Sequence, residues 1–121
     1  MVKAEYVPDR GDIVWLNFTP QSGHEQMGKR PALVISPKEY NKKVSLGIFC
    51  PITSKEKGYP FEVRAKVKTI EGVILSDQVK SLDWTSRDIE FIGKLGKEEF
   101  EKVIECHGSG YSATLDEIGS R

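Results

Sequence analysis

The sequence predicts a mainly β protein with minor α content, in which an antiparallel sheet is followed by a C-terminal helix. Short runs rich in β-branched and aromatic residues recur between Gly, Pro and polar turns. Residues 61–67 alternate apolar and charged side chains with the period of a half-buried antiparallel strand. Apolar residues follow helical spacing in residues 97–107. A chain of 121 residues predicts one domain, assigned here to residues 1–107, with a flexible tail over 108–121.

The predicted strands are taken in chain order from the apolar runs and the turns that bound them. In the first strand, Ile13 and Trp15 face one side of the sheet and Val14 and Leu16 face the other. Pro51 is expected to mark a bulge or a sheet edge, because proline lacks the N–H that a ladder needs. The complete set of predicted strands is 12–18, 32–36, 46–52, 61–67, 72–78 and 88–95.

The remaining elements are a connection and a helix. Residues 36–43 form a polar connection with room for one helical turn. In the C-terminal helix, Phe100, Val103 and Ile104 stand at positions i, i+3 and i+4 and form one apolar stripe.

Composition limits the classes of function. The chain has 18 basic and 18 acidic residues, which argues against a uniformly basic nucleic-acid binder. Residues 1–60 hold nine basic and six acidic residues, a balance of +3, so a locally basic face is possible. No apolar run reaches the roughly 20 residues of a spanning helix, and the N-terminus lacks a signal-peptide core, so we expect a cytoplasmic protein. Cys50 and Cys106 are then expected to be reduced, buried thiols.

No metal site and no cofactor are expected. The two histidines and two cysteines are isolated and have no ligand spacing. The sequence contains no Walker loop, no dinucleotide fingerprint and no nucleophile elbow.

The most informative segment is GHEQMGKRPALVISP, residues 23–37. A Gly-bracketed loop carries His24 and Glu25 and ends at Arg30, immediately before an apolar strand. An imidazole, a carboxylate and a guanidinium therefore lie within seven residues of one another. Such a set can move protons and stabilise charge on a phosphoryl group without a metal.

Three blocks in order, GHEQMGKRPALVISP, CPITSKEKGYPFEV and GVILSDQVKSLDW, resemble the MazF/PemK (Kid) toxins of bacterial toxin–antitoxin pairs. The resemblance covers about residues 6–107. It implies a compact, SH3-like or barrel-like sheet of five strands and a homodimer. It further implies cleavage of single-stranded RNA such as mRNA at short motifs, without a metal. The implied partner is a cognate antitoxin whose disordered, acidic C-terminal segment covers the RNA groove.

The resemblance also implies roles for individual residues. Arg30 would stabilise the phosphorane charge, because a guanidinium presents donors that match phosphate oxygens. Thr53, in the PxTS motif, would hydrogen-bond the scissile phosphate. Glu25 is a candidate general base in the MazF-like mechanism, and His24 is a candidate proton shuttle in the Kid-like branch. That branch also uses an arginine where this chain has Leu75, so its full set does not transfer.

A second group of residues is predicted to bind RNA rather than to react with it. The two loop lysines would meet backbone phosphates, and the polar residues at the end of a strand would contact base edges. The tyrosine, or Trp15, would stack on a base. The predicted RNA-binding residues are Ser54, Lys55, Lys57, Tyr59, Asp77 and Gln78.

Each functional interpretation has a plain structural alternative. Arg30 would then be a surface residue paired with Glu25, His24 an exposed loop residue, and Lys55 and Lys57 solvated loop residues. For the protein as a whole, the alternatives are a non-enzymatic, gyrase-poisoning toxin of the same fold and a catalytically silent binding module.

Overall fold

The computed structural model describes residues 6–18 and 28–106, which form one curled antiparallel sheet and two helices. The mainly β prediction with a C-terminal helix is therefore confirmed. The strands are β1 Asp12–Asn17, β2 Lys29–Val34, β3 Gly47–Thr53, β4 Glu62–Val67, β5 Ile70–Leu75, β6 Lys80–Leu82 and β7 Glu90–Lys94. The helices are α1 Lys38–Val44 and α2, residues 97–106, and a single 3₁₀ turn covers Trp84–Ser86.

Strand β3 is the centre of the sheet, whose strand order is β4-β5-β3-β2-β1-β7. One edge of β3 pairs with β2. The opposite edge changes partner along its length: residues 47–49 pair with β6, whereas Ile52 and Thr53 pair with β5. Thr53, the last residue of β3, therefore lies where β5 joins the edge of β3 that is opposite β2.

The hydrophobic core forms two clusters, which the alternation of β1 separates as predicted. Ile13 belongs to one cluster, together with Leu33, and Trp15 packs against it. Val14 and Leu16 belong to the other. Burial of one such aliphatic side chain stabilises the fold by about 1.5–3 kcal/mol, so both faces of β1 hold the central strands in place.

Helix α2 covers the first of these clusters. Val103 is fully buried in it, and Phe100 packs against it, as the predicted apolar stripe requires. Helix α2 therefore supports the sheet on the side of this cluster.

Several predicted boundaries are wrong. Strand β2 begins at Lys29 rather than at residue 32, because its pairing with β1 continues through Pro31 and ends with Lys29 opposite Asn17. Strand β5 covers Ile70–Leu75 rather than 72–78, since the chain turns after Leu75. Pro51 marks neither a bulge nor a sheet edge: it pairs with Ala32 inside the central strand. It stands between the residues that pair with β6 and those that pair with β5, so its missing N–H coincides with the change of partner.

Two elements differ from the sequence prediction in kind. Helix α1 has seven residues, more than the single turn expected, and its buried Asn41 donates from the side-chain amide to Pro8 O at 2.7 Å and to Ser36 O at 3.0 Å. Strand β6 was not predicted, because three residues, KSL, are too few to establish a period.

Across residues 6–18 and 28–106, no helix has the length and apolar character needed to cross a membrane. His107 and the predicted tail lie outside the described residues.

Candidate functional site

Arg30 and Thr53, 23 positions apart in sequence, line one groove. The pairing of β2 with β3 ends at Ala32 and Pro51, and Arg30 and Thr53 each lie two residues beyond this last pair on their own strand. The groove has a volume of about 530 Å³. Its lining residues are Trp15, Arg30, Pro31, Ile52, Thr53, Ser54, Lys55, Thr69, Ile70 and Glu71. The structure therefore brings together four of the predicted site residues, which are Arg30, Thr53, Ser54 and Lys55, and places Trp15, the alternative to Tyr59 for stacking on a base, beside them.

The two adjacent cations of β2 have different surroundings. Lys29 contacts β7 and the turn before it, with its Nζ 3.1 Å from Asp88 Oδ2 and 3.8 Å from Glu90 Oε1. Arg30 is exposed, and no carboxylate of the described residues lies within ion-pair distance of it. Lys29 thus pairs with carboxylates at the β7 end of the sheet, whereas Arg30 lines the groove without an ion-pair partner among residues 6–18 and 28–106.

Thr53 is half-buried at the C-terminal end of β3. Its Oγ1 accepts a hydrogen bond of 3.2 Å from the backbone N–H of Lys55. This local turn holds the backbone of Lys55 beside the groove and orients the hydroxyl. Because the hydroxyl accepts in this bond, its proton can be donated to a ligand.

Lys57 and Tyr59 lie on the loop between β3 and β4 and do not line the groove. The backbone N–H of Lys57 donates to the Glu62 carboxylate at 3.2 Å. The Tyr59 ring stacks on Phe61, with ring centroids 5.1 Å apart, and the Tyr59 residue is 51% exposed. Their binding roles stay predictions.

Asp77 and Gln78 lie in the turn after β5, also outside the groove. The backbone N–H of Gln78 donates to Leu75 O at 3.0 Å. Asp77 lies near Cys50: burial, and to a lesser degree the Asp77 carboxylate, raises the pKa of the Cys50 thiol to about 12. Cys50 is therefore a buried, unreactive thiol, whereas Cys106 is free but only partly buried, so the prediction of a buried thiol is wrong for Cys106. The base-reading roles of Asp77 and Gln78 stay predictions.

His24 and Glu25 lie outside the described residues, so both proton-transfer assignments stay predictions.

The groove contains a carboxylate that was not among the predicted site residues, Glu71. It comes from strand β5 and reaches the groove together with Thr69 through the pairing of β5 with the end of β3. No motif marks either residue, and only knowledge of that non-local pairing would have found them.

The fold and the groove together define a small β-sheet protein with a cationic, hydroxyl-bearing site at the end of its central strand. Residues 9–106 match the sequence profile of the PemK-like, MazF-like toxins of type II toxin–antitoxin systems. The chain belongs to this family.

Characterised relatives agree with the assignment. The chain is 44% identical over 100 residues to the endoribonuclease toxin MazF of Escherichia coli K12, covering 83% of this chain and 90% of the relative. It is 31% identical over 103 residues to the endoribonuclease EndoA of Bacillus subtilis, covering 80% of this chain and 88% of the relative.

Solved structures lead to the same family. A crystal structure of MazF from Deinococcus radiodurans superposes with a TM-score of 0.79 at 49% identity, covering 89% of this chain and 99% of that one. A chain of a MazE–MazF complex from the same organism superposes with a TM-score of 0.74 at 42% identity, covering 87% and 95%. The gyrase-poisoning alternative receives no support from these comparisons.

Proposed function

We propose that this protein is the toxin of a toxin–antitoxin pair and an endoribonuclease that cleaves single-stranded RNA such as mRNA without a metal. The proposal is supported most directly by the convergence of Arg30 and Thr53 on one groove from separate strands. It is supported further by the relatives, which are named endoribonucleases and are up to 44% identical to this chain. Cellular mRNA as substrate implies action in the cytoplasm.

The proposed reaction is an internal displacement at phosphorus. The 2′-oxygen forms a bond to the adjacent phosphorus while the bond from phosphorus to the 5′-oxygen breaks. The products are a 2′,3′-cyclic phosphate and a 5′-hydroxyl. A base accepts the proton of the 2′-hydroxyl, and an acid supplies one to the departing 5′-oxygen.

Arg30 and Thr53 act on the charge that develops in this reaction. The guanidinium donates to the phosphorane oxygens, and the Thr53 hydroxyl donates to the scissile phosphate. Removing one such pre-organised donor costs about 10²–10³ in kcat in other enzymes. Glu25 or His24 is the proposed proton-transfer residue, and Arg30 with Thr53 forms the core pair.

The test is to incubate the purified protein with a defined single-stranded RNA in EDTA and to sequence the ends of the fragments. We expect cuts at a short motif, with cyclic phosphate and 5′-hydroxyl ends. Arg30→Ala should reduce the cleavage rate by at least about 10²-fold, while its circular dichroism spectrum remains that of the wild type.

Arg10→Ala is the matched control, because Arg10 is an exposed arginine that lies over the Phe100 ring and outside the groove. This variant should cleave RNA at the wild-type rate. Intact RNA with folded wild-type protein would contradict the proposed function. Full activity of Arg30→Ala would remove Arg30 from the mechanism.

The proposed partners are a second copy of this chain and a cognate antitoxin. Solved MazE–MazF complexes of Deinococcus radiodurans are similar to this chain at 42–45% identity, which supports the antitoxin proposal. A disordered acidic segment of the antitoxin would compete with RNA for the cations of the groove. Addition of the neighbouring gene product should therefore lower the cleavage rate.

A further inference from the structure

The end of strand β3 lies very close to strand β5. The two strands pair through Ile52 with Ile74 and Thr53 with Val73, and the next step along this register brings Ser54 to Gly72. A Cβ atom at Gly72 would lie 2.9 Å from the carbonyl carbon of Thr53, 3.2 Å from Cα of Ser54, and closer still to the Thr53 carbonyl oxygen. All three are backbone atoms, so no side-chain rotation can relieve the contact.

Space, rather than backbone conformation, is what restricts position 72 to glycine. Gly11 and Gly58 have positive φ angles, but Gly72 does not, so an L-residue can adopt its backbone conformation. Real Cβ atoms essentially never come within 3.0 Å of a neighbouring atom. A side chain at position 72 would therefore force β5 and the end of β3 apart by about 1 Å.

The displacement would reach the groove through Thr53 and Ser54. The paired residues of β3 and β2 are 49–51 on β3, which stop short of Thr53, so the pairing with β5 sets the position of the strand end. Thr53 and Ser54 line the groove with Arg30, whereas Gly72 does not. Gly72 therefore contacts the groove-lining residues Thr53 and Ser54 through their backbone, and its chain neighbour Glu71 also lines the groove.

We propose that Gly72 is a positioning residue of the RNA-cleaving site. Its lack of a side chain lets β5 hold the Thr53–Ser54 backbone at the place where the Thr53 hydroxyl and the Arg30 guanidinium act on the same phosphate. This inference rests on the proposed endoribonuclease function. A misplacement of about 1 Å in a reacting constellation can cost about 10²-fold in rate.

The test measures Gly72→Ala in single-turnover cleavage of the RNA whose cut site has been mapped. We expect the rate to fall by about 10²-fold. The Kd for the same RNA with a 2′-deoxy nucleotide at the cut site should change by less than about threefold, because the binding cations are not altered. The two substitutions should also be non-additive: in a Thr53→Val background, Gly72→Ala should cause little further loss of rate.

Gly93→Ala is the matched control for damage to the sheet. A Cβ atom at Gly93, on β7, would meet Val67 Cγ1 at 2.7 Å, which is the end of a side chain. This variant should lose stability but keep the wild-type cleavage rate. Both glycine variants are compared in buffer and with trimethylamine N-oxide, which favours the folded state.

The outcomes separate the inference from the proposed function. An unimpaired rate in folded Gly72→Ala, or losses that add to those of Thr53→Val, would overturn the positioning role alone. If Gly72→Ala stays unfolded with the osmolyte while Gly93→Ala folds, Gly72 serves the sheet as a whole and the positioning role is also overturned. A folded wild-type protein that leaves RNA intact overturns the proposed function, and the inference with it.

Discussion

Tyr6 and Asp12 fasten the segment before β1 to the sheet. Asp12 is 3% exposed, and its carboxylate accepts hydrogen bonds from the Tyr6 hydroxyl and, at 3.0 Å, from the backbone N–H of Asp9. Its other oxygen lies 2.7 Å from Lys94 Nζ. A buried carboxylate is costly without such partners. Burial, followed by the Asp12 hydrogen bond, raises the pKa of Tyr6 far above its ordinary value.

Tyr6→Phe tests this arrangement through its pH dependence. Because the folded-state pKa of Tyr6 is raised, its contribution to stability is complete below about pH 10, the unfolded value, and is lost as the pH rises further. At neutral pH, the free energy of unfolding of the variant should be about 1–2 kcal/mol below that of the wild type. As the pH rises above about 10, this free energy should fall less in the variant than in the wild type. Urea unfolding at both pH values measures this.

Tyr40→Phe is the control for Tyr6→Phe, because Tyr40 is an exposed tyrosine of α1. The buried thiol of Cys50 also has a raised pKa. The wild type and every variant therefore lose some further stability at alkaline pH through this thiol. If Tyr6→Phe keeps the full wild-type loss above about pH 10, the Tyr6 hydroxyl is not its source.

The loop between β3 and β4 is shaped largely by one side chain of the strand that follows it. The Glu62 carboxylate accepts hydrogen bonds from the backbone N–H groups of Lys57, at 3.2 Å, and Gly58, at 3.0 Å. Glu56 in the same loop pairs with Arg64 of β4 at 2.8 Å. Because Lys55 belongs to this loop and lines the groove, the conformation of the loop affects the cations presented to RNA.

We expect Glu62→Ala to weaken RNA binding more than it weakens the fold. Two backbone N–H groups would lose their acceptor, but both are exposed and can bond to water, so the loss of stability should stay near about 1 kcal/mol. A less ordered loop should raise the Kd for the 2′-deoxy RNA by about three- to tenfold, corresponding to about 0.7–1.4 kcal/mol. Fluorescence anisotropy and urea unfolding measure the two quantities.

Two variants control the loop experiment. Glu62→Gln keeps an acceptor oxygen and should restore most of the affinity, whereas Glu98→Ala removes an exposed carboxylate of α2 and should change nothing. An unchanged Kd in Glu62→Ala would mean that the loop conformation does not govern binding.

Local patterns predicted the β class and much of the site, because alternation and turn residues are properties of neighbouring positions. The loop-to-strand motif identified Arg30, and the PxTS motif identified Thr53. Their meeting in one groove depends on the β2–β3 register, which no single segment encodes. Glu71 and Gly72 escaped prediction for the same reason, since their importance comes from the pairing of β5 with the end of β3. The partner change along β3 likewise explains why Pro51 was misassigned.

The distribution of charge over the protein determines how strongly, and through which residues, it should attract and bind RNA. The formal net charge is zero, so the protein as a whole offers little long-range attraction to a polyanion. Among residues 6–18 and 28–106, the groove presents the cations Arg30 and Lys55 and one carboxylate, Glu71. Electrostatic affinity should therefore come from a few local contacts with phosphates.

The salt dependence of RNA binding measures the number of those contacts. If RNA makes two phosphate contacts, a plot of the logarithm of the association constant against the logarithm of the salt concentration should have a slope of about −1.4. Each phosphate contact on a single strand contributes about −0.7 to this slope. Lys55→Gln should reduce the slope by about 0.7 and weaken binding to all RNA sequences alike. Lys42→Gln, on the exposed face of α1 and outside the groove, should leave the slope unchanged. A slope that Lys42→Gln lowers as much as Lys55→Gln would mean that RNA binds diffusely over the surface, and that the groove does not select its path.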